Sequence, residues 1–238
     1  MKKEDENSCE KNLSGITRKD AIKKMGKYDK DNIREWSLKN LPNNPTVIEA
    51  GVYDGSDTAW FAQTFPEADI YGFEPLDQPF NLAYSKLNGF SNVTLCKYAL
   101  GPKTGDAIMH ECDWRSGSSS LRKPTGTLTI HPTVKWIGET KVDVINLDEF
   151  CSDNNINSVD IMWLDMQGSE NEVIQSSLNI VSNTKYIYSE VSLMEMYEGV
   201  PLIDEYKSNM NQLGFEVVWE DLPWQDMGDV LFRNTNLT

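Results

Sequence analysis

The sequence predicts an α/β fold built around a mostly parallel β-sheet. From Thr46 onward, short apolar strands alternate with helical patterns, beginning with a strand–helix–strand unit over residues 46–74. Runs such as Ile161–Leu164 lack apolar–polar alternation, as expected of strands covered by helices on both faces. The last two strands, over 215–219 and 229–233, are joined by too few residues for a crossover helix, so they should pair antiparallel. The prediction is a seven-stranded sheet of five parallel strands with a C-terminal antiparallel hairpin.

Residues 1–30 are polar and mixed in charge, which predicts a flexible segment ahead of a folded domain over residues 31–238. Up to residue 100, the pattern predicts alternating helices and strands. In chain order these are a helix over 31–39, a strand over 46–50, a helix from 56 to before Pro66, a strand over 70–73, a helix from 77 to Gly89, and a strand over 93–100. Ser56 or Asp57 is expected to cap the second helix, and Asp77 the third.

Residues 101–141 interrupt this rhythm with a stretch that predicts no clear helix, could form a short strand over 107–112, and contains the serine-rich loop Ser116–Ser120. An irregular insertion of this length is typical of a substrate loop or lid. Residues 142–145 are expected to return as a strand at the edge of the main sheet. Regular elements then resume, with a helix over 147–151, a strand over 160–164, a helix with a Ser169–Glu172 capping box, a strand over 185–189 and a helix over 201–213.

The composition narrows the classes of function. The chain has 238 residues, a formal net charge of −15 and no apolar run of membrane-spanning length. Such a charge disfavours binding to nucleic acid or to an anionic membrane surface. The four cysteines show no CxxC spacing, so neither zinc nor a disulfide framework is predicted. Because the N-terminus lacks a signal-peptide pattern, a soluble, cytoplasmic protein is expected.

Acidic residues close or nearly close four of the predicted parallel strands. They are Glu49, Glu74, Asp165 and Glu190. In open α/β sheets, ligands bind outside the carboxyl ends of the strands, and a charge there is rarely placed for packing. Glu74, after the second strand, is suited to accept hydrogen bonds from both hydroxyls of an adenosine ribose. This position therefore predicts an adenosine-containing cofactor without a 2′-phosphate.

The turn after the first strand discriminates between such cofactors. Gly51 and Gly55 are expected to let the backbone approach a ligand. A dinucleotide fingerprint would place GxGxxG here to seat a pyrophosphate, whereas this turn carries the bulky and anionic residues Val52–Asp54. Glu49 suits a ligand with a cationic amine or sulfonium. The turn therefore favours S-adenosylmethionine.

Several motifs, in this order and spacing, are shared with a known family. They are VIEAGVYDG (Val47–Gly55), GFEP (Gly72–Pro75), ALG (Ala99–Gly101), SGSSSL (Ser116–Leu121), INLDEF (Ile145–Phe150), LDMQGSE (Leu164–Glu170), SE (Ser189–Glu190) and DVLF (Asp229–Phe232). On these motifs the chain resembles the FkbM-type S-adenosylmethionine-dependent methyltransferases, over residues 47–233. The resemblance implies a Rossmann-like class I methyltransferase fold and O-methylation, often of sugars or polyketide hydroxyls.

The turn, the acid after the second strand and the resemblance together indicate which residues would hold the cofactor. They are Glu49, Gly51, Tyr53, Gly55, Glu74, Pro75, Leu76 and Ala99. The chain departs from the usual family pattern at three positions. Glu49 stands where Asp is common, Tyr53 where Asn is usual, and Gln167 where Glu is common. The first two departures are compatible with cofactor binding, whereas the third affects the turn after the fourth parallel strand.

Methyl transfer to a hydroxyl calls for a general base or a metal, because an alcohol is a weak nucleophile. His131, in the insertion, is one candidate base, with a surface loop histidine as the alternative; His110, in a predicted strand, is expected to be structural. Asp165 and Glu190 close neighbouring strands and could supply the base or hold Mg²⁺ to orient a substrate diol. Asp165 could also hold the methionine ammonium, and structural ion pairing is the alternative for both acids.

The expected acceptor is a carbohydrate or another polyhydroxylated small molecule, because the acidic chain favours a neutral ligand. Trp114, Trp136 and Tyr197 could stack on sugar rings or could anchor loops. N- or C-methylation of a small molecule, a catalytically silent cofactor-binding scaffold and a nicotinamide-dependent oxidoreductase are the alternative functions.

Overall fold

The computed structural model describes residues 31–113, 115 and 117–237 and shows an α/β fold. The N-terminal segment 1–30, predicted to be flexible, lies outside these residues. The strands are β1 (Thr46–Ala50), β2 (Asp69–Phe73), β3 (Val93–Cys96), β4 (Ala99–Leu100), β5 (Gly105–Cys112), β6 (Trp136–Ile145), β7 (Val159–Leu164), β8 (Thr184–Ser192), β9 (Phe215–Asp221) and β10 (Met227–Asn234). The helices are α1 (Asp31–Asn40), α2 (Ser56–Thr64), α3 (Asp77–Leu87), α4 (Thr127–Ile130), α5 (Leu147–Asp153), α6 (Glu170–Ser176), α7 (Leu178–Ser182) and α8 (Ile203–Gln212).

Seven strands form the main sheet, in the order β3-β2-β1-β7-β8-β10-β9. The first five of these run parallel, while β10 pairs antiparallel with both β8 and β9. This confirms the predicted parallel sheet and its C-terminal hairpin. In the strand order, β2 and β3 lie on one side of β1, and β8, β10 and β9 lie on the far side of β7. The strand order thus reverses between β1 and β7. The ends of β1 and β7 therefore border the crevice where open α/β sheets bind ligands.

Helices cover both faces of the main sheet. One face packs against α5, α6, α7 and α8, and the other packs against α1 and α2. Trp163 of β7 illustrates this burial, since it is 1% exposed and its ring centroid lies 5.4 Å from Phe61 and 4.0 Å from Tyr188. Within the described part of the chain, no helix combines the length and the apolarity needed to span a membrane.

The insertion is more regular than expected, and the prediction for residues 101–141 is wrong in this respect. β5 pairs antiparallel with β6, and β4 pairs parallel with β6, which makes a separate three-stranded sheet. Residues 142–145 belong to this sheet and do not return to the edge of the main sheet. The predicted strand over 93–100 is likewise divided between the two sheets. Met109, Val142 and Val144 bury one face of the second sheet against Leu76. This long-range packing decides which sheet the strands join, and a local window of sequence does not show it.

The predicted capping box at the start of α6 does not form. Ser169 occupies the N-cap position but makes no side-chain capping hydrogen bond. Instead, the buried Glu170 carboxylate accepts a hydrogen bond from the backbone N–H of Met166 at 2.5 Å, and burial raises the pKa of Glu170. Ser56 and Asp77, also predicted as caps, lie inside the first turns of α2 and α3, which have no side-chain caps.

Candidate active site

A cavity of about 320 Å³ lies at the crevice between the ends of β1 and β7. The main sheet contributes the ends of β1, β2 and β7 to its lining. The insertion supplies another part of the wall through Met109 of β5 and through Gly117, Ser119 and Leu121 in and beside the serine-rich loop. Ser120 fixes this loop, because its Oγ donates a hydrogen bond to the backbone oxygen of Gln167 at 2.7 Å. The volume is at the lower end of the range of about 300–1,000 Å³ that is typical of small-molecule sites.

Glu74 follows β2 and lines this cavity although it is only 6% exposed. Its Oε2 accepts the backbone N–H of Tyr53 at 2.9 Å, and its Oε1 accepts that of Leu76 at 3.0 Å. Burial raises the pKa of Glu74 to about 7, and the two backbone hydrogen bonds counteract only part of this effect. Each carboxylate oxygen has a further lone pair, so the group can also accept hydrogens from ligand hydroxyls.

Other predicted cofactor residues surround Glu74. Tyr53, Pro75, Leu76 and Ala99 all line the same cavity. The backbone of Tyr53 has φ of 54°, an uncommon conformation for a bulky residue, and its N–H contacts the Glu74 carboxylate. Burial, followed by the nearby charge of Asp54, raises the pKa of Tyr53, so its phenol is neutral at physiological pH.

The two glycines of the first turn serve the packing of the protein itself. Both have positive φ, +87° at Gly51 and +77° at Gly55. A Cβ on Gly51 would lie 1.8 Å from the backbone oxygen of Asp165, and a Cβ on Gly55 would lie 3.0 Å from Leu87 of α3. Packing therefore requires both glycines whether or not a ligand is bound, and their close approach to a cofactor stays a prediction. Gly51 lines the cavity, whereas Gly55 is not among the described residues that do so.

Glu49 lies within β1 and is 2% exposed. It is in register with Gly72 of β2 and Trp163 of β7. Since side chains alternate along a strand, Glu49 faces the side opposite to Ala50, which lines the cavity. Glu49 is not among the described lining residues, and its contact with a cofactor stays a prediction.

Asp165 and Glu190 meet at the ends of β7 and β8, as expected for acids on neighbouring strands. The side-chain amide of Gln167 joins them: its Nε2 donates to Asp165 Oδ1 at 2.9 Å and to Glu190 Oε2 at 3.0 Å. Asp165 and Gln167 both line the cavity. A carboxylate able to accept a proton is thus in the same cavity as Glu74, while the catalytic roles of Asp165 and Glu190 stay predictions.

His131 lies outside this cavity. It follows α4, its side chain is 43% exposed, and its Nε2 lies 2.5 Å from Oδ2 of Asp226 in the connection between β9 and β10. His110 of β5 faces Glu139 of β6, with Nδ1 3.3 Å from the carboxylate, as expected of a structural residue. Neither histidine is among the described lining residues, so the catalytic role of His131 stays a prediction without support from its position.

Comparison with known proteins connects this geometry to a family. A profile described as the Methyltransferase FkbM domain matches residues 49–217. A protein named 2-O-methyltransferase NoeI, from Sinorhizobium fredii (strain NBRC 101917 / NGR234), is 32% identical over 212 residues, with 84% of each chain covered. The chain belongs to the FkbM methyltransferase family. It is an S-adenosylmethionine-dependent methyltransferase.

Solved structures with low sequence identity share the FkbM-family chain's fold. A crystal structure of an rRNA methylase from Streptococcus thermophilus has a TM-score of 0.51 at 14% identity, covering 88% of this chain and 98% of that one. A protein of the NADB-Rossmann superfamily from Streptococcus agalactiae has a TM-score of 0.50 at 10% identity, covering 88% and 69%. These similarities confirm the predicted Rossmann-like fold.

The cavity of this FkbM methyltransferase fits S-adenosylmethionine better than it fits Mg²⁺. Glu74 is placed to accept ribose hydroxyls, and Asp165 provides negative charge for a cationic ligand. Among the described residues, no group of three or more His, Cys, Asp or Glu side chains is arranged to hold a metal ion. Between Asp165 and Glu190 lies the donor amide of Gln167, whose N–H groups would repel a cation. These residues do not fit a Mg²⁺ site.

Sequence reasoning missed two contributions to the site. The serine-rich loop was expected near the substrate, and Leu121 was noted only as part of the SGSSSL motif. Met109 gave no signal, because its position depends on the pairing of β5 with β6. Gln167 was noted only as a departure from the family pattern, and its contacts with two acids on different strands could not be read from the chain.

The aromatic residues proposed for sugar stacking are placed differently from one another. Tyr197 is 1% exposed, and its hydroxyl donates toward Gln167 Oε1 at 2.7 Å and toward the Ser118 carbonyl oxygen at 3.0 Å. It therefore anchors a loop. Trp136 opens β6, is half-buried and does not belong to the described cavity lining. Trp114 lies outside the described residues.

Proposed function

We propose that this enzyme transfers a methyl group from S-adenosylmethionine to a hydroxyl of a carbohydrate or another polyhydroxylated small molecule. The proposal depends on one observation: Glu74 and Asp165 line the same cavity, in the crevice between the ends of β1 and β7. The first carboxylate suits the ribose of the methyl donor, and the second suits the attacking hydroxyl. Membership of the FkbM family and the similarity to a protein named as a 2-O-methyltransferase support this assignment.

The proposed chemistry assigns Asp165 as the general base. When bound, S-adenosylmethionine would supply a methyl group on a positively charged sulfur. The acceptor oxygen would form a C–O bond to that methyl as the S–C bond breaks and S-adenosylhomocysteine leaves. Asp165 takes the proton that the hydroxyl loses, which avoids a free alkoxide. Gln167 holds the Asp165 carboxylate in place, and the serine-rich loop limits the access of water to the cavity. In this scheme His131 takes no part, because it lies outside the cavity.

The charges of the site favour a neutral acceptor. The chain has a net charge of −15, and Asp165 and Glu190 add two acids beside the cavity. An anionic acceptor or a nucleic-acid backbone would be repelled. Hydroxyl groups, in contrast, can donate hydrogen bonds to carboxylates, so a polyol matches this side of the cavity.

A labelled-methyl transfer screen tests the proposal. The enzyme would be incubated with methyl-labelled S-adenosylmethionine and a panel of sugars, oligosaccharides and polyols, with amines and activated carbon acids as comparison acceptors. We expect label on a sugar or polyol oxygen, located by NMR of the product. Label on nitrogen or carbon, or no transfer to any acceptor by a protein that binds S-adenosylhomocysteine, would overturn the proposal.

A further inference from the structure

Gln167 lies at the centre of the proposed catalytic site. It occupies the turn between β7 and α6, with φ of 56°, and is followed by Gly168 with φ of 97°. Positive φ is uncommon for a residue with a long side chain, so this turn is held by its surroundings. Its side chain reaches across the ends of β7 and β8, where it contacts Asp165 and Glu190.

The orientation of the Gln167 amide follows from its three neighbours. Nε2 carries two hydrogens and lies 2.9 Å from Asp165 Oδ1 and 3.0 Å from Glu190 Oε2. Oε1 accepts the hydroxyl hydrogen of Tyr197 at 2.7 Å. The reversed amide would place its carbonyl oxygen against two carboxylate oxygens, so that acceptor would face acceptor. The Gln167 amide therefore turns its Nε2 toward the two acids and its Oε1 toward Tyr197.

Two carboxylates at neighbouring strand ends usually need a positive or donor group between them, because like charges repel. A divalent cation is one solution, and in this protein the amide nitrogen takes that place. We propose that Gln167 is a positioning residue that holds Asp165 and Glu190 together in the place of a divalent cation, so that methyl transfer proceeds without a bound metal. The inference rests on the proposed role of Asp165 as the base.

The same residue connects the base to the insertion. The Tyr197 hydroxyl also approaches the Ser118 carbonyl oxygen at 3.0 Å, and Ser120 Oγ donates to the Gln167 backbone oxygen at 2.7 Å. Gln167 therefore contacts both the carboxylate pair and the part of the insertion that lines the cavity. Replacing Gln167 should alter the chemical step and the acceptor KM more than the affinity for the methyl donor.

The test compares Gln167→Met, which removes the donor, with Gln167→Glu, which adds a third acid. Gln175→Glu is the matched control, because Gln175 is exposed on α6 and adds the same charge away from the cavity. We expect wild type to be equally active with EDTA and with Mg²⁺ or Mn²⁺. Gln167→Met should lose kcat by up to about 100-fold through misplacement of the base, with nearly unchanged S-adenosylhomocysteine affinity. Gln167→Glu should be weakly active in EDTA and recover by about tenfold or more with either cation.

Mn²⁺ binding gives a readout that needs no acceptor. By electron paramagnetic resonance, Gln167→Glu should bind Mn²⁺, whereas wild type and Gln175→Glu should not. Mn²⁺ bound at this site in wild type, or full kcat in Gln167→Met, would overturn the inference. A wild type that methylates no hydroxyl, while only Gln167→Glu binds Mn²⁺, would contradict the proposed acceptor class. That result would still support the inference that the Gln167 amide replaces a cation. Circular dichroism would show whether Gln167→Met and Gln167→Glu fold. If one of them does not fold, the other still tests the inference.

Discussion

At the residue scale, the cofactor half of the cavity depends on a carboxylate that is buried before a ligand binds. Glu74 is held by the N–H groups of Tyr53 and Leu76, and burial raises its pKa to about 7. Its ionised form is the stronger acceptor for ribose hydroxyls, because hydrogen bonds to charged groups exceed those to neutral ones. Cofactor affinity should therefore follow the ionisation of this group.

We expect S-adenosylhomocysteine to bind more tightly as pH rises. With a pKa of about 7, Glu74 is ionised in roughly a tenth of molecules at about pH 6 and in most at about pH 8. The Kd from isothermal titration calorimetry should fall by up to about tenfold across this interval. Glu74→Gln should weaken binding by about 10- to 100-fold and flatten the pH dependence. The exposed Glu67→Gln is the control, and a wild-type slope in Glu74→Gln would contradict this assignment.

The same group should make the ligand-free protein less stable at higher pH. The folded-state pKa of Glu74 is raised from 4.5 to about 7, so the folded state binds the proton more tightly than the unfolded state. Its stabilising contribution is complete below about pH 4.5 and is lost as pH rises toward about 7. At about pH 8, ligand-free Glu74→Gln should therefore exceed wild type by about 1–3 kcal/mol in free energy of unfolding, measured in urea. Equal or lower stability would show that the two backbone hydrogen bonds outweigh burial.

Asp165 should matter for turnover more than for cofactor binding. We expect Asp165→Asn to reduce kcat/KM by about 10²–10⁴-fold, the range of a positioned general base, with a Kd for S-adenosylhomocysteine within about threefold of wild type. Asp153→Asn, an exposed change at the end of α5, serves as the control in the methyl-transfer assay. Near-normal turnover with a large rise in Kd would instead assign Asp165 to the methionine ammonium.

At the scale of elements, the site exists because β1 and β7 end side by side. The Asp165 N–H donates to the Ala50 oxygen at 2.9 Å, and the turn at Gly51 passes directly over the Asp165 carbonyl. The insertion completes the cavity from a separate sheet whose buried face packs on Leu76. Strand ends thus position the residues proposed for the methyl donor and the proposed base, while the insertion builds another part of the cavity wall.

Gly51→Ala tests this junction. A Cβ there would lie 1.8 Å from the Asp165 backbone oxygen, and alanine also disfavours a φ of +87°. We expect a loss of about 3 kcal/mol or more in unfolding free energy, or failure to fold, measured by thermal and urea unfolding. Gly89→Ala is the matched control, because nothing lies within 4 Å of a Cβ at that position. A Gly51→Ala protein as stable as the control would mean that β1 and β7 can separate at little cost.

At the scale of the whole molecule, the net charge bears on the acceptor, whereas the fold does not. The fold is shared with an rRNA methylase, but this chain carries a net charge of −15. Phosphate binding depends on clustered cations, which an acidic surface opposes. Membership of the FkbM family, rather than the fold, identifies the type of enzyme, and the net charge supports the proposed neutral acceptor.

We expect RNA to be neither a substrate nor an inhibitor. Total RNA added to the labelled-methyl assay should acquire no label and should leave transfer to a sugar acceptor unchanged within about twofold, at low as well as moderate salt. The assay with a known RNA methylase is the positive control. Inhibition by RNA that disappears on adding salt would reveal a basic surface on the folded protein.

Local sequence patterns predicted most of the main sheet because its strands are short, apolar and separated by helices. They also predicted that Glu74, Asp165 and Glu190 would meet at one edge, because the carboxyl ends of parallel strands share that edge. The insertion was mispredicted, since β5 and β6 are paired across a long connection and only one of their faces is buried. The predicted capping box failed because Glu170, rather than Ser169, folds over the start of α6.

The sequence alone therefore determined the α/β class and the methyltransferase family. Most of the predicted cofactor residues line one cavity, and their roles stay predictions. Only the tertiary structure showed which residues from distant parts of the chain contact one another at the site. It brought Gly51 against Asp165 just after β7, placed His131 outside the described cavity lining and placed the Gln167 amide between two acids. Each of these outcomes depends on distances between residues far apart in the chain, and such distances are set by the packing of the whole fold.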